Sequence, residues 1–294
     1  MNTKDYEARI PKYGNLFYRK KNVAYTHNGI FHADDVCSSA LLEIVFPGIK
    51  IMRVPNVPED AELAFDIGYG KFDHHQDTVE VRPDGTKYAA FGLLWREIGP
   101  TILPLESVKF FDDVFVKQID YTDNTGYPNP FSSVIKAFNP SWEEESKTDD
   151  RFREAVEFAK QSIIKQFDRY KSARSADNLV KDMMADKDNF PTPHVLLMEH
   201  YMPYNKHVVP SDIYYVVYPS NRNSGGWNIN CVTTEVGGKQ AKLQFPEGWV
   251  QSPPYGCTFM NLSRTMACFE SREDAIASLD KLEKLIEKKK EMEK

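Results

Sequence analysis

The residues of this chain that could carry chemistry are histidines and aspartates at the ends of apolar segments within its first 123 residues. They occur in clusters, and they are His27, His32, Asp34, Asp66, Asp73, His74, His75, Asp120 and Asp123. Imidazole and carboxylate together are the ligands of a hard-to-intermediate divalent metal ion. The residue types therefore predict a divalent metal site, with Mn²⁺ as the natural candidate and Mg²⁺ as the alternative.

Strands and helices that alternate along the chain would position these side chains. Residues 21–27 are predicted as a short buried strand, residues 33–46 as a helix, and residues 63–67 as another apolar strand. Side chains between a strand and the next helix lie at the carboxyl end of the strand, where open α/β sheets bind ligands. An unpaired carboxylate such as Asp66 inside an apolar strand costs several kcal/mol, and a metal ion compensates for it.

Each of these residues also has an ordinary structural interpretation. A lone His-His pair usually belongs to a surface turn, and Asp66 alone could cap a helix or a turn. Three such clusters, each at the end of a predicted strand and within about 50 residues, favour a shared metal site over separate structural roles.

Composition and charge exclude several classes of protein. The net charge of −6 argues against a broad nucleic-acid-binding surface, so a polyanionic substrate must be bound locally. The four cysteines form no CxxC motif, which favours a reduced, intracellular protein. No apolar run approaches the ~20 residues that cross a bilayer, and the first residues lack the apolar core of a secretory signal. We expect a cytoplasmic protein without a membrane partner. The sequence leaves open whether the protein forms a homodimer.

A family resemblance is carried by Asp73-His74-His75 and by three further segments. The triplet matches the signature of the DHH phosphoesterase superfamily. Residues 27–34, 88–92 and 119–124 are similar to one branch of it, the melanocyte-proliferating-gene branch of metal-dependent 3′-5′ RNA exonucleases. The resemblance is strong over roughly residues 20–126 and weak over the rest of the chain.

The predicted elements give an α/β fold in which helices flank a parallel sheet, followed by a second, smaller α+β domain. We predict a metal-binding catalytic domain of the DHH type over residues 1–149 and a C-terminal substrate domain over residues 191–294. Residues 150–190 are predicted as a connecting helix and linker. Further predicted elements are helices over 89–98, 105–120 and about 150–175, strands over 194–198, 213–218 and 227–232, and a closing helix after Ser271.

The resemblance implies a hydrolase that cleaves phosphodiester bonds as a 3′-5′ exonuclease on RNA or short oligonucleotides. The partner would be an oligonucleotide or a nucleotide phosphate, and two divalent ions would activate water. Asp66 would bridge the ions, and either Asp120 or Asp123 would complete the ligand set, with Asp123 fitting the superfamily pattern better. The remaining implied ligands are His27, His32, Asp34 and His74.

The same resemblance implies roles for three residues that bind no metal. His75 would hold a phosphoryl oxygen or protonate the leaving group, and Asp73 would orient a ligand imidazole. Arg272 would contact a substrate phosphate, with an ordinary surface arginine at a helix start as the equal alternative.

The C-terminal segment departs from the branch. A glycine pair whose backbone N–H groups can hold a phosphate is replaced by Ala267-Cys268, and a histidine is replaced by Asn261. Two alternatives to an exonuclease stay open. One is a small-molecule phosphatase or pyrophosphatase that uses the same metals, and the other is a non-catalytic metal-binding protein with a degenerate substrate domain.

Overall fold

A computed structural model of the chain describes residues 22–78, 80–221 and 225–292, so Lys21 of the first predicted strand lies outside the described residues. The chain divides into two compact units, of which the first ends at Tyr170 and the second begins at Lys171. Within the described residues, no helix is both long and apolar enough to cross a membrane.

The sheet of the first unit is built on strand β1 (Val23–His27), which pairs in parallel with strand β2 (Lys50–Val54). Helix α1 (Ala33–Val45) connects the two strands, close to the predicted 33–46. Every residue of α1 except Glu43 is buried. The helix therefore carries Asp34 and Asp35 into the interior of the unit, directly after the loop that follows His27.

The predicted strand over residues 63–67 is wrong, because the segment forms only single bridges. Tyr25 exchanges two backbone hydrogen bonds of 3.0 Å with this segment, donating to Leu63 and accepting from Phe65. The next residue, Asp66, has a positive φ of 56°. This left-handed conformation turns the chain away from β1 and ends the extended segment.

The first unit is completed by helices that pack with α1 into one apolar core. The predicted helix over 105–120 is interrupted by a π-helical segment, and its last part continues to Thr125, where Gly126 at φ 70° provides a left-handed C-cap. The helices that follow α1 are α2 (Ala90–Ile102), α3 (Leu105–Phe111), the π-helix Asp112–Val116, α4 (Lys117–Thr125), α5 (Pro130–Lys136), the 3₁₀ helix Trp142–Lys147 and α6 (Thr148–Ala185). The boundary between the two units falls within α6.

The second unit contains a five-stranded mixed sheet, which together with the parallel pair of the first unit confirms the predicted α/β fold class. Its strands are β3 (Val195–Leu197), β4 (Tyr215–Pro219), β5 (Trp227–Cys231), β6 (Cys257–Met260) and β7 (Met266–Phe269), in the order β3-β4-β5-β7-β6. Only the β3–β4 pair is parallel. The sequence did not predict β6 and β7.

The helices of the second unit are short except for the last one. They are α7 (Asn205–Val208), α8 (Gly248–Gln251), α9 (Arg272–Ala277) and α10 (Leu279–Met292), with a 3₁₀ helix, Lys187–Asn189, at the start of the region. The predicted capping of the closing helix is present, since the Ser271 hydroxyl accepts a hydrogen bond from the backbone N–H of Asp274. Ser278 separates α9 from α10, so the predicted single helix is two.

Candidate metal centre

Asp66 lies between two histidines that come from different parts of the first unit. Its Oδ1 is 3.1 Å from Nε2 of His74, and its Oδ2 is 3.3 Å from Nε2 of His27. His27 is the last residue of β1, and His74 follows the turn that begins at Asp66. The turn needs Gly68, whose φ is 88° and where a Cβ would lie 2.7 Å from the Val57 side chain. Each oxygen of one buried carboxylate thus faces a separate imidazole.

Three overlapping groups of side chains in this region have the spacing of metal ligands. In each group one ligand atom per residue lies within 4.8 Å of the others, and the groups share Asp66 and His74. They are Asp66 with His74 and His75, Asp66 with His27 and Asp35, and His74 with Asp34 and Asp123. The groups therefore form one continuous cluster rather than three separate sites.

The cluster contains buried polar atoms that the rest of the described chain does not satisfy. Asp35 Oδ2, Asp66 Oδ1 and His74 Nε2 are buried without a hydrogen-bond partner among the described residues. Buried polar atoms in native proteins are nearly always paired, with protein groups, water or ions. Unpaired carboxylate and imidazole atoms that converge on one space fit the ligand preference of a divalent ion such as Mn²⁺.

The charges of the cluster are strongly coupled. Burial alone would raise the pKa of Asp66, but His27 and His74 outweigh burial and lower it to about 2. Burial would lower the pKa of His27, yet the nearby carboxylates of Asp66 and Asp35 raise it to about 9. Burial raises the pKa of Asp35 to about 7. The cluster thus keeps Asp66 ionised and favours a proton on His27 in the absence of a metal.

Asp34 is held by the first turn of α2. Its Oδ2 accepts a hydrogen bond of 3.0 Å from the backbone N–H of Ala90, and its Oδ1 accepts one of 2.8 Å from Phe91. Helix N-termini offer unpaired N–H groups and favour negative charge. Burial is nevertheless the largest influence on Asp34 and raises the pKa of this carboxyl well above its usual range, with Asp66 acting in the same direction.

The two aspartates of α4 have different surroundings. Asp123 Oδ2 is 3.3 Å from Nε2 of His74, within the cluster. Asp120 belongs to none of the three groups found among the described residues. Its Oδ2 is 2.7 Å from the guanidinium of Arg82, and its Oδ1 accepts a hydrogen bond of 3.1 Å from the backbone of Gly92. A Cβ at Gly92 would lie 1.9 Å from the Asp120 carboxylate, so only glycine fits there.

Arg82 is the centre of a second charged network that the sequence did not indicate. It lies in a hairpin, where its backbone N–H donates to Thr86 around the predicted Pro83-Asp84-Gly85 turn. Its guanidinium donates two hydrogen bonds, of 2.9 and 2.7 Å, to Asp112 and lies 4.0 Å from the ring centre of Tyr88. This side chain therefore neutralises Asp112 and Asp120 from inside the protein.

Asp73 orients the second histidine of the pair. Its Oδ1 is 2.8 Å from Nδ1 of His75 and also accepts a hydrogen bond of 3.0 Å from the His75 backbone. The other oxygen, Oδ2, accepts a hydrogen bond of 2.6 Å from the backbone of Tyr69. Asp73 is buried, whereas the His75 side chain is 58% exposed. A fixed carboxylate thus holds an imidazole whose far nitrogen can reach a ligand.

His32 stands apart from the ligand groups. Its ring centre is 6.2 Å from that of His27, and the residue is exposed. Its backbone N–H donates a hydrogen bond of 2.8 Å to Asp35 Oδ1 at the start of α1. Of the residues that the sequence predicts as ligands, the structure brings His27, Asp34, Asp66, His74 and Asp123 into the three groups and leaves His32 and Asp120 outside them.

The cluster opens into a pocket of about 1170 Å³. His32 lines this pocket together with all the cluster residues except Asp35, and two lysines, Lys87 and Lys136, line it as well. Ligand pockets commonly measure roughly 300–1,000 Å³, so this pocket has room for more than a single small molecule.

Arg272 lies in the second unit, as the first residue of α9. Its guanidinium donates a hydrogen bond of 2.8 Å to Glu199 and lies 5.5 Å from the ring centre of Trp227. The Ala267-Cys268 pair is buried within β7. Asn261 accepts hydrogen bonds from the backbone of Thr265 (2.8 Å) and Met266 (3.1 Å), and these bonds fix the turn between β6 and β7.

Comparison with known proteins assigns the chain to a family. A sequence model of the MYG1 exonuclease family, described as an uncharacterised protein family (UPF0160), matches residues 23–277. The chain belongs to this family. The match includes all residues of the metal-ligand groups and Arg272.

Curated relatives of the family resemble most of the chain at low identity. The MYG1 exonuclease of Homo sapiens is 25% identical over 316 residues, which cover 86% of this chain and 83% of the human protein. The MYG1 protein of Dictyostelium discoideum is 23% identical over 310 residues, covering 85% of this chain and 93% of that protein. The MYG1 protein of Chlamydia pneumoniae is 32% identical over 181 residues, covering 55% of this chain and 60% of that protein. No solved structure matches this chain significantly.

Sequence reasoning missed Asp35 as a member of the cluster. The resemblance implies a ligand role for Asp34 and none for Asp35, the residue that follows it directly. The signal was present in the spacing, because Asp35 is the third residue of α1 and reaches back to the residue before the helix, as a capping-box residue does.

Proposed function

We propose that this chain is a metal-dependent phosphoesterase of the DHH type that acts as an exonuclease on RNA or short oligonucleotides. Support comes from the family match, from the name of its human relative as an exonuclease, and from the ligand cluster at the end of β1. This proposal includes membership of the DHH superfamily, the metal, the substrate and the 3′-to-5′ direction in which the substrate is shortened.

The arrangement of Asp66 carries the proposal. Two metal ions in a phosphoesterase need one carboxylate that can reach both, with further ligands on each side. Asp66 is buried and directs Oδ1 to His74 and Oδ2 to His27. A carboxylate placed only for stability would be paired with donors that have no other use, whereas both oxygens of Asp66 face imidazoles that could bind a metal ion.

We propose two Mn²⁺ ions, with Mg²⁺ as the alternative, on either side of Asp66. When bound, they would supply a water nucleophile at neutral pH and neutralise charge on the substrate phosphate. Asp123 is preferred to Asp120 as the residue that completes the ligand set, since Asp120 is already paired with Arg82. The proposed ligands are His27, His32, Asp34, Asp66, His74 and Asp123. His32 would join them by a rotation of its exposed side chain.

His75 is the proposed proton donor to the leaving oxygen. Its Nδ1–H points at Asp73 Oδ1 at 2.8 Å, so Nε2 is the nitrogen left to hold and deliver a proton. Asp73 is fixed in turn by the backbone of Tyr69. A carboxylate that fixes an imidazole in one orientation and stabilises its charged form is a recurring arrangement in acid–base catalysis.

Lys87 and Lys136 are the proposed contacts of the substrate backbone. Both line the pocket that contains the ligand cluster, and an ammonium group there would attract the phosphates next to the one that is cleaved. The volume of the pocket favours an oligonucleotide end over pyrophosphate. Arg272, predicted as a phosphate contact, would have to exchange its partner Glu199 for the phosphate.

The test is turnover of a substrate panel by the full chain with Mn²⁺, with Mg²⁺ and after chelation. The panel contains 3′- and 5′-labelled oligoribonucleotides, the matching oligodeoxyribonucleotides, a nucleoside bisphosphate and pyrophosphate. We expect stepwise shortening of the oligoribonucleotide from its 3′ end, only with metal present. Turnover of pyrophosphate alone would instead favour the small-molecule alternative, and metal binding without any turnover would favour a non-catalytic protein.

A further inference from the structure

We propose that Asp35 is a direct ligand of the cation that His27 and Asp66 hold, a role that neither the motifs nor the family match assigns. This inference rests on the proposed metal-dependent function. It concerns one residue of the cluster, so it can fail while the metal site itself stands.

The two oxygens of Asp35 have separate surroundings. Oδ1 accepts hydrogen bonds from the backbone N–H groups of His32, at 2.8 Å, and Val36, at 2.9 Å. These contacts cap the first turn of α1. Oδ2 is buried, has no hydrogen-bond partner within the described part of the chain, and lies 3.4 Å from Nε2 of His27. The capping role therefore accounts for one oxygen and leaves the other unexplained.

The neighbouring Asp34, itself a proposed ligand, differs from Asp35 in that a backbone donor already contacts each of its oxygens. Asp34 also lies in the first turn of α1, but both of its oxygens accept backbone N–H groups, from Ala90 and Phe91. Asp35 is equally buried, with no exposed surface. A buried ionised oxygen is costly unless a cation or a donor compensates for it.

The terminal nitrogens of Arg53, whose charge acts on Asp35, are engaged elsewhere. Arg53 acts on Asp35 only through its charge, while its guanidinium donates to Asp149 at 2.7 Å and to the backbone oxygen of Gly29. His27 is the remaining candidate, but its Nε2 is equally close to Asp66, at 3.3 Å. A divalent ion among these three side chains would compensate for both carboxylates.

The distances suit a shared ion. Ligand oxygens at about 2.1 Å from a divalent ion in octahedral geometry lie roughly 3 Å from one another. Nε2 of His27 is 3.4 Å from Asp35 Oδ2 and 3.3 Å from Asp66 Oδ2. One ligand atom from each of the three residues lies within 4.8 Å of the others, so only small movements would bring the three side chains into one coordination shell.

Asp35→Asn is the sharpest test of this role. Asparagine keeps an Oδ1 acceptor for the His32 and Val36 N–H groups, and it replaces the unpaired oxygen with an NH₂ group that cannot bind a cation. Mn²⁺ binding to the full chain is measured by titration calorimetry and by metal analysis after dialysis. Partners that only orient a ligand change metal affinity roughly 10- to 100-fold, so loss of a direct ligand should weaken one of the two sites by at least about 100-fold.

The melting temperature of the metal-free variant is measured in parallel and should stay close to that of the wild type. If Asp35→Asn does not fold, Asp35→Glu and Asp35→Gln take its place, because both residues suit the capping position and differ only in charge. The glutamate variant should keep two ions, and the glutamine variant should keep one. Two Mn²⁺ sites within tenfold of wild-type affinity in Asp35→Asn, or in Asp35→Gln, would overturn the assignment. A wild-type chain that binds no ion would overturn the proposed function as well, which separates the two claims.

Discussion

Asp66 and Asp120 are both buried aspartates of the first unit, with 4% and 0% exposure, and they differ in what compensates for their charge. Asp120 lies 2.7 Å from Arg82, an arginine that two further hydrogen bonds hold in place. Asp66 faces the imidazoles of His27 and His74 and, at 3.6 Å, that of His75. One carboxylate has a permanent internal cation, and the other has imidazoles that could bind a metal ion.

The two carboxyl groups also differ in their pKa values. Burial raises the pKa of Asp120 to about 7 in spite of Arg82, so its environment tolerates a neutral acid. The two histidines keep the pKa of Asp66 at about 2, so this acid remains ionised. A buried anion whose only partners can give up their protons to a metal ion is suited to bind that ion. Sequence spacing alone does not separate Asp120 from Asp123, and the position of Arg82 beside Asp120 supports the proposal of Asp123 as the ligand.

The largest effect is expected from substitution of Asp66, because this carboxylate faces both His27 and His74. Asp66→Asn should lose both ions and lower kcat on an oligoribonucleotide by at least about 10⁴-fold, because metal ions contribute several kcal/mol to such reactions, here about 5 kcal/mol or more. Asp84→Asn makes the same chemical change in an exposed hairpin turn and should leave kcat unchanged. Turnover and bound metal are measured on the same samples. Near-normal turnover by Asp66→Asn would remove the basis of the comparison.

The opposite experiment removes the internal cation of Asp120. Arg82→Met leaves Asp112 and Asp120 without their arginine and should lower the free energy of unfolding by about 3–5 kcal/mol, measured by urea denaturation. Arg96→Met is the control, since Arg96 pairs with the exposed Glu80 and such pairs contribute about 0–1 kcal/mol. Equal losses in both variants would show that Arg82 is not the buried counter-ion described here.

Substitution of His75 tests whether every imidazole near Asp66 is a metal ligand. Nδ1 of His75 is 3.6 Å from Asp66 Oδ1 but 2.8 Å from Asp73, so we assign it to the substrate. His75→Asn should keep two Mn²⁺ ions and lower kcat at least about 100-fold, the usual range for a lost proton donor. His74→Asn should lose metal. If both variants lose metal equally, the division of roles between the two histidines is incorrect.

The smallest expected effect is the pH dependence of metal binding. Burial lowers the pKa of His27, but Asp66 and Asp35 raise it to about 9, and a ligand imidazole must be neutral. At pH values below about 9 the metal displaces this proton, so Mn²⁺ affinity should rise with pH, by about tenfold per unit for one proton. Calorimetry in buffers of different ionisation enthalpy counts the protons released. Affinity that is constant between about pH 6.5 and pH 8 would contradict the protonated state of His27.

Local features of the first unit could be predicted because they depend on spacing along the chain. The apolar pattern of residues 33–46 predicts a helix that the structure has at Ala33–Val45. Strand Val23–His27 follows in the same way from a short apolar run. The prediction of a strand over residues 63–67 was wrong because Asp66 has a positive φ, which belongs to the turn. The apolar pattern of the sequence does not indicate such a turn.

Contacts between residues distant in sequence were beyond prediction. Arg82 and Asp112 are 30 positions apart, and nothing in the hairpin around Arg82 indicates that it neutralises two aspartates. The β6–β7 hairpin was also not predicted, and its segment instead shows the departures from the family motif. Asn261, a departure from that motif, accepts the backbone N–H groups of the hairpin turn.

The most direct test of the central claim is the number of Mn²⁺ ions that the purified full chain binds near neutral pH. The metal is removed with a chelator, Mn²⁺ is titrated back, and stoichiometry is measured by calorimetry and by metal analysis, for the wild type and for Asp66→Asn. A cluster that shares Asp66 predicts two ions per chain in the wild type and none in Asp66→Asn. Two ions retained in Asp66→Asn, or none in the wild type, would contradict the account.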